Sequence, residues 1–207
     1  MMTTRAYNLE NRLRKQAELR QRIAAAAASI HARKGALATS YADIAAEAKV
    51  SLPTVYAHFP SLDALLEGCT RHVADQAPAL PVDAILGAGT LDEAAALLVD
   101  AMEQQHLHFE PWLSWREDRV IPFLARLAGR VRDELASLVG RVLRQHCGAG
   151  AHREAIAAWE TALSFDAWHR LARGHRLSRP AVRRAILHCL RATAPPQASK
   201  PVSRSKT

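Results

Sequence analysis

The chain has 207 residues, 49% of them hydrophobic, an aromatic share of only 5% and a formal net charge of +8. That length and apolar content allow one medium domain or two small ones, and abundant alanine with few aromatics favours helices over strands. The sequence has no apolar run long enough to span a bilayer, and its opening, MMTTRAYNLENRLRKQ, lacks the apolar segment of a signal peptide, so a cytoplasmic protein without a membrane partner is expected.

Basic charge is concentrated early: residues 1–34 carry eight Lys or Arg against two acids, and residues 35–76 carry two against five. Residues 1–11 are expected to form a disordered N-terminal arm. From Arg12 to Lys34 a long helix is predicted, because Leu19, Ile23, Ala27 and Ile30 recur at helical spacing and Ala24 to Ala28 add propensity. Gly35 ends it. Arg12, Arg14, Lys15, Arg20 and Arg22 crowd its start; the pattern suits either a solvated face or a surface laid along phosphates.

The stretch TSYADIAAEAKVSLPTVYAHFP, residues 39–60, reads as two short helices with a polar break. Ser40 can cap the first, with Asp43 completing a capping-box variant, and Ile44, Ala45 and Ala48 make one apolar face. Ser51 can cap the second, Pro53 suits its first turn, and Pro60 stops it. Such a pair is a helix-turn-helix, whose second helix can enter the major groove of DNA. The pattern alone equally fits a plain helical hairpin in an all-α core.

Ser61 to Ala77 is predicted as a helix with Leu62, Leu65, Leu66, Cys69 and Val73 inward, followed by a looser stretch punctuated by Pro78, Pro81, Gly87 and Gly89. A domain boundary is placed near residue 77. An amphipathic helix follows from Leu91 to about His108, broken by Pro111. Asp118 to His146 reads as a long helix interrupted or kinked near Pro122, ended by Gly148 and Gly150. Arg153 to Arg173 is one helix closed by Gly174, and Ser178 caps a last helix that reaches about Ala192. Residues 194–207, rich in Pro, Ser and Lys, are expected to be a disordered basic tail.

The run from Ile23 to Leu66 resembles the N-terminal domain of the TetR family of transcriptional regulators. The matching residues are Ile23 to Ala27, Gly35, Thr39-Ser40, Asp43-Ile44-Ala45, Val50-Ser51, Pro53-Thr54-Val55-Tyr56, His58-Phe59 and Ala64-Leu65-Leu66. The resemblance implies an all-α protein. A helix-turn-helix DNA-binding domain with a three-helix core would span 12–77, and a helical ligand-binding and dimerisation domain 78–193. It also implies a homodimer through the last two helices, a palindromic double-stranded operator and a repressor released by a small-molecule effector.

Under that resemblance Ser40, Ser51, Thr54, Tyr56 and His58 contact phosphates, Tyr41 and Ala42 occupy exposed positions, and Leu52 and Pro53 face base edges. Apolar groups there can pack on thymine methyl groups but cannot make bidentate bonds to guanine. The chain departs from the family at three positions. Lys49 stands where Gly is usual in the turn, a place that commonly needs positive φ, and it adds a charge near DNA. Leu52 and Leu62 stand where Lys or Arg is frequent, which lowers salt-sensitive affinity. These departures motivate an alternative: a small-molecule or partner-binding module of the same fold with lost or weakened operator reading.

Phe109, Trp112, Trp115, Phe123 and Trp159 are the candidate walls of a pocket for an apolar or aromatic effector, each being ordinary core on the bland reading. No cofactor is implied. His106, His108 and Glu110 have poor spacing for a metal site, and Cys69, Cys147 and Cys189 read as scattered, mostly buried thiols. Nucleophile-elbow, P-loop and HExxH patterns are missing from the sequence, so a non-enzymatic protein is expected.

Overall fold

The described residues fold into helices joined by turns; in this computed structural model they are 4–148 and 153–196, with side chains from residue 9 onward. Two compact units emerge, Met1–Ala77 with His108–Leu127, and Pro78–Leu107 with Ala128–Thr207.

In the first unit, α1 (Thr4–Lys34) runs into Gly35, whose φ of 79° closes the helix. α2 (Tyr41–Ala48), α3 (Leu52–His58) and α4 (Leu62–Ala74) follow. Alanines at 24, 27, 45 and 48 are buried, which lets α1 and α2 approach closely around Ile23, Ile30 and Ile44. Val55 and Phe59 of α3 and Leu65 and Leu66 of α4 complete this core. Gly68 has a packing reason: a Cβ there would lie 2.6 Å from Phe59 Cε1.

In the second unit, α5 (Val82–Leu86), the first part of α6 (Leu91–Leu113), most of α7 (Pro122–Cys147), α8 (Arg153–Ala162), α9 (Phe165–His169) and α10 (Arg179–Thr193) share one core. Its centre is Leu98, Val139, Leu143, Trp159, Leu163 and Leu190, all essentially without exposure, and the Trp159 indole N–H donates to the carbonyl of Leu190 at 3.0 Å. Three ion pairs join α10 to α6: Arg179–Glu103, Arg183–Asp100 and Arg191–Asp92. Pairs this accessible contribute between zero and about 1 kcal/mol each.

Several sequence expectations need correction. Helix α1 begins at Thr4, so residues 4–11 are not a disordered arm; Leu, Glu, Asn and Arg continue the helix there, and Arg14 bonds Asn11 Oδ1 at 2.9 Å. Pro111 lies inside α6 rather than breaking it, because only two helical residues follow and a single Leu107 carbonyl loses its donor. Pro122 starts α7 instead of kinking it, after a 3₁₀ turn at Glu117–Arg119.

The expected helix Arg153–Arg173 is interrupted at Ser164, whose hydroxyl accepts from Ala167 N–H and donates to the Thr161 carbonyl, closing α8 and opening α9. α9 passes into a π turn at Arg170–Gly174. Residues 108–127 join the first unit, so a single cut at 77 does not describe the units. Cys69 is buried, Cys147 half-buried and Cys189 exposed, against the expectation of mostly buried thiols. Gly150 and the tail from residue 197 lie outside the described residues.

Candidate nucleic-acid interface

The helix-turn-helix is built from short-range hydrogen bonds. Asp43 N–H donates to Ser40 Oγ at 3.1 Å, and Ser40 N–H donates to Asp43 Oδ2 at 2.9 Å, a full capping box. The Ser40 hydroxyl also donates to Asp43 Oδ2, at 2.8 Å, and Lys34 Nζ reaches the same oxygen at 2.9 Å. The Ser40 amide, with Lys34 and the Ser40 hydroxyl, holds the Asp43 carboxyl well below the usual carboxylate range. Ser40 Oγ therefore offers a phosphate no spare proton in this arrangement; the open donors at this end of α2 are backbone N–H groups.

The turn is a Schellman motif with a lysine in the glycine place. Lys49 has φ 54° and ψ 51°, its N–H donates to Ala46 O, and Val50 N–H donates to Ala45 O. The positive φ expected from the sequence is observed. Lys49 is exposed, so its ammonium stands at the turn that leads into α3.

At α3, Ser51 Oγ accepts from Thr54 N–H at 3.3 Å and lies 2.7 Å from Thr54 Oγ1, so one hydroxyl donates to the other and one O–H of the pair stays available. Leu52, Pro53 and Tyr56 are exposed, Leu52 by 39% and Tyr56 by 51%, while Thr54 and His58 are half-buried. Val55 and Phe59 anchor the opposite face with no exposure. The outward start of α3 is thus largely apolar and aromatic, with the Ser51 and Thr54 hydroxyls at its first turn.

Tyr41 departs from its expected exposure. Its ring stacks on Tyr56 with centroids 4.6 Å apart and planes 14° from parallel. Its hydroxyl is buried without a hydrogen-bond partner, and burial, with Tyr56 beside it, raises its pKa. Ala42 is exposed as expected. The two tyrosines tie the outer faces of α2 and α3 together.

The basic face of α1 divides. Arg20 donates to the His58 carbonyl and lays its guanidinium over the Phe59 ring, 4.2 Å from the centroid, so it closes the end of α3. Arg14 pairs with Glu18 at 3.7 Å. Arg12, Lys15 and Arg22 remain exposed cations along the helix.

The five candidate pocket walls are divided between the two units. Phe109, Trp112 and Phe123 pack on the core of the first unit, and Trp115, 45% exposed, also belongs to that unit. Trp112 Nε1 donates to Ala28 O at 2.8 Å and Trp115 Nε1 to Ala32 O at 3.3 Å. Indole N–H groups need acceptors when they are covered, and α1 carbonyls supply them. Trp159 is core of the second unit.

In that second unit a cavity of about 10 Å³ lies among Val99, Met102, His106, Leu163, Trp168 and Val182, room for one water at most. A shallow groove of about 210 Å³ borders Leu91, Asp92, Trp159 and Arg191. His106 Nε2 lies 2.9 Å from the Leu163 carbonyl, and burial pushes its pKa down to about 4. Among the described residues no group of three or more His, Cys, Asp or Glu is placed to hold a metal.

Glu117 was not singled out by sequence reasoning. Its carboxylate accepts from Ala36 N–H at 2.8 Å and Leu37 N–H at 2.7 Å, across some eighty positions of chain. No local motif announces such a contact.

With this geometry in view, residues 23–69 match the sequence model of the bacterial regulatory proteins of the tetR family. The first unit carries a tetR-family domain. The match takes in α1 from Ile23 onward, α2, α3 and α4 up to Cys69. No curated protein matches the chain.

Solved structures extend the likeness over most of the chain. A transcriptional regulator from Rhodococcus sp. Rha1 aligns with a TM-score of 0.62 at 18% identity, covering 84% of this chain and 95% of its own. The multidrug binding protein EbrR, solved with imidazole, gives 0.59 at 23% identity over 88% and 93%. SCO4454, a TetR-family transcriptional regulator from Streptomyces coelicolor, gives 0.54 at 22% over 86% and 95%. At these identities the likeness establishes the fold.

Proposed function

We propose that this tetR-family chain is a ligand-responsive transcriptional regulator, most simply a cytoplasmic repressor, that binds a palindromic duplex as a homodimer. The observation that carries the reading is the start of α3: a rigidly capped helix that holds Leu52, Pro53 and Tyr56 outward while Val55 and Phe59 fix its back. A helix held this way can enter a major groove without ordering cost at the moment of binding. Ala42, Lys49, Ser51, Thr54 and His58 frame it; the backbone amides at the start of α2 and the Lys49 ammonium attract phosphates, and α3 discriminates bases.

No described helix is long and apolar enough to cross a membrane. Dimerisation is assigned to α8 and α10, which pack on each other and would form a four-helix bundle with a second copy. The effector reading follows EbrR, described as a multidrug binding protein. Here an apolar or aromatic effector enters the second unit by enlarging the small cavity beside His106 and Trp168, and it shifts the operator equilibrium by its differential affinity for the two states.

The test is selection of genomic fragments by the purified full chain at low and moderate salt. A recovered palindrome, bound by a dimer, supports the reading; enrichment of no sequence at either salt refutes it. The second reading, a fold that retains a partner or ligand but has weakened operator reading, draws on the exposed Leu52 and Leu62 where cations would strengthen phosphate attraction. It predicts duplex binding without sequence preference.

A further inference from the structure

We propose that Glu117 is a positioning residue for the duplex-reading helices, a carboxylate that fills an anion nest at the entrance to α2. The inference rests on the reading of α2 and α3 as the surface that meets DNA. The chain leaves α1 at Gly35 with φ 79°, and the next two amides, Ala36 and Leu37, converge on the two oxygens of Glu117. Successive N–H groups after a left-handed residue form a concavity suited to anions. Gly35 is required twice over: its φ suits glycine, and a Cβ there would lie 2.6 Å from Glu117 Oε1.

The connection so held is short. Thr39 closes it from the other side, its hydroxyl donating to Gly35 O at 2.6 Å and its N–H to Ala36 O at 3.1 Å. Ser40 follows at once and caps α2. The core fixes α2 through Ile44, Ala45 and Ala48, residues on one face. Rotation and slide of its outward end depend on the connection, and hence on Glu117.

Glu117 ends a series. Trp112 bonds Ala28 O, Trp115 bonds Ala32 O, and Glu117 takes the Ala36 amide, so three side chains meet backbone groups at four-residue intervals along and beyond the last turns of α1. The two indoles grip a helix that its own hydrogen bonds already stiffen. The carboxylate grips two amides that lie outside any helix, where its bonds are charge-assisted and decide the local conformation.

The test uses full-length wild type, Glu117→Ala and Glu117→Gln, with a duplex selected by the wild type. Residue-resolved amide exchange is read at Ala36 and Leu37, with Ala45 as the internal reference, beside duplex affinity. In Glu117→Ala exchange at the two amides should rise about tenfold to a hundredfold, the worth of bonds to a charged acceptor, with Ala45 unchanged and duplex affinity down about tenfold. Glu117→Gln keeps one acceptor and should fall between, which preserves the test if the alanine variant fails to fold. The proposal is overturned if both amides stay protected, or if they open and duplex affinity equals wild type. A wild type that selects no duplex refutes the regulator reading instead, and is told apart because its own Ala36 and Leu37 amides remain protected.

Discussion

If α3 enters a major groove as proposed, its apolar start makes a specific demand on the DNA. With Leu52 and Pro53 outward, the base-edge partner that suits these two side chains is the thymine methyl group. Replacing the facing thymine by deoxyuridine removes one methyl per half-site. A buried methyl is worth about 0.8 kcal/mol, so affinity should fall about fourfold per half-site, and about fifteenfold for both. From the protein side, Leu52 is 39% exposed when free, and full burial of a leucine is worth about 1.5–3 kcal/mol, so Leu52→Ala should lose roughly 1 kcal/mol per half-site. The assay is fluorescence anisotropy with the selected duplex and its deoxyuridine counterpart, measured for wild type and Leu52→Ala as a double-mutant cycle. Putting 5-methylcytosine at a facing cytosine should add affinity to the wild type alone. Equal binding of the thymine and deoxyuridine duplexes, or a variant as sensitive to the exchange as wild type, would refute the reasoning.

Other outcomes follow from single contacts. Tyr41→Phe removes a buried, unpartnered hydroxyl and keeps the ring stacked on Tyr56, so it should raise Tm by about 2–4 °C in thermal melts; a lower Tm would mean that the hydroxyl has a partner. Gly68→Ala drives a Cβ to 2.6 Å from the buried Phe59 ring and should destabilise by about 1–3 kcal/mol in urea unfolding. His106 has its folded pKa depressed from 6.5 to about 4, so between those values the unfolded chain binds the extra proton. Its contribution is therefore complete above about pH 6.5 and is lost as pH falls toward 4, by up to about 2 kcal/mol at pH 5. Urea midpoints at pH 7 and pH 5 should show the loss, and His106→Gln, whose amide can still donate to Leu163 O, should flatten it.

The sequence displays well what is local. Ser40 with Asp43 and Ser51 with Pro53 are signals only three or four residues long, and each cap is where the spacing put it. Lys49 was recognisable as left-handed through the family resemblance, because it stands in the turn where Gly is usual. What stayed hidden is long-range. Trp112, Trp115 and Glu117 act on backbone groups more than eighty positions earlier, and a cluster of aromatics beside a proline gives no hint that its indoles are bound to a helix rather than lining a cavity. Ser164 lay in view, but inside an apolar helical rhythm its capping role competed with a continuous pattern that looked stronger. Arg20 looked like one cation among five, and only packing reveals its stacking on Phe59.

The distribution of the indoles supplies a natural optical gauge. Of the chain's four tryptophans, Trp112 and Trp115 belong to the unit that contains α2 and α3, while Trp159 and Trp168 are enclosed in the other. Trp115, 45% exposed, is the most accessible of the four, ahead of the half-buried Trp112, so acrylamide should quench its emission first. Substituting phenylalanine for one pair at a time would leave each unit with its own fluorescence, and would let the two be followed separately without a dye.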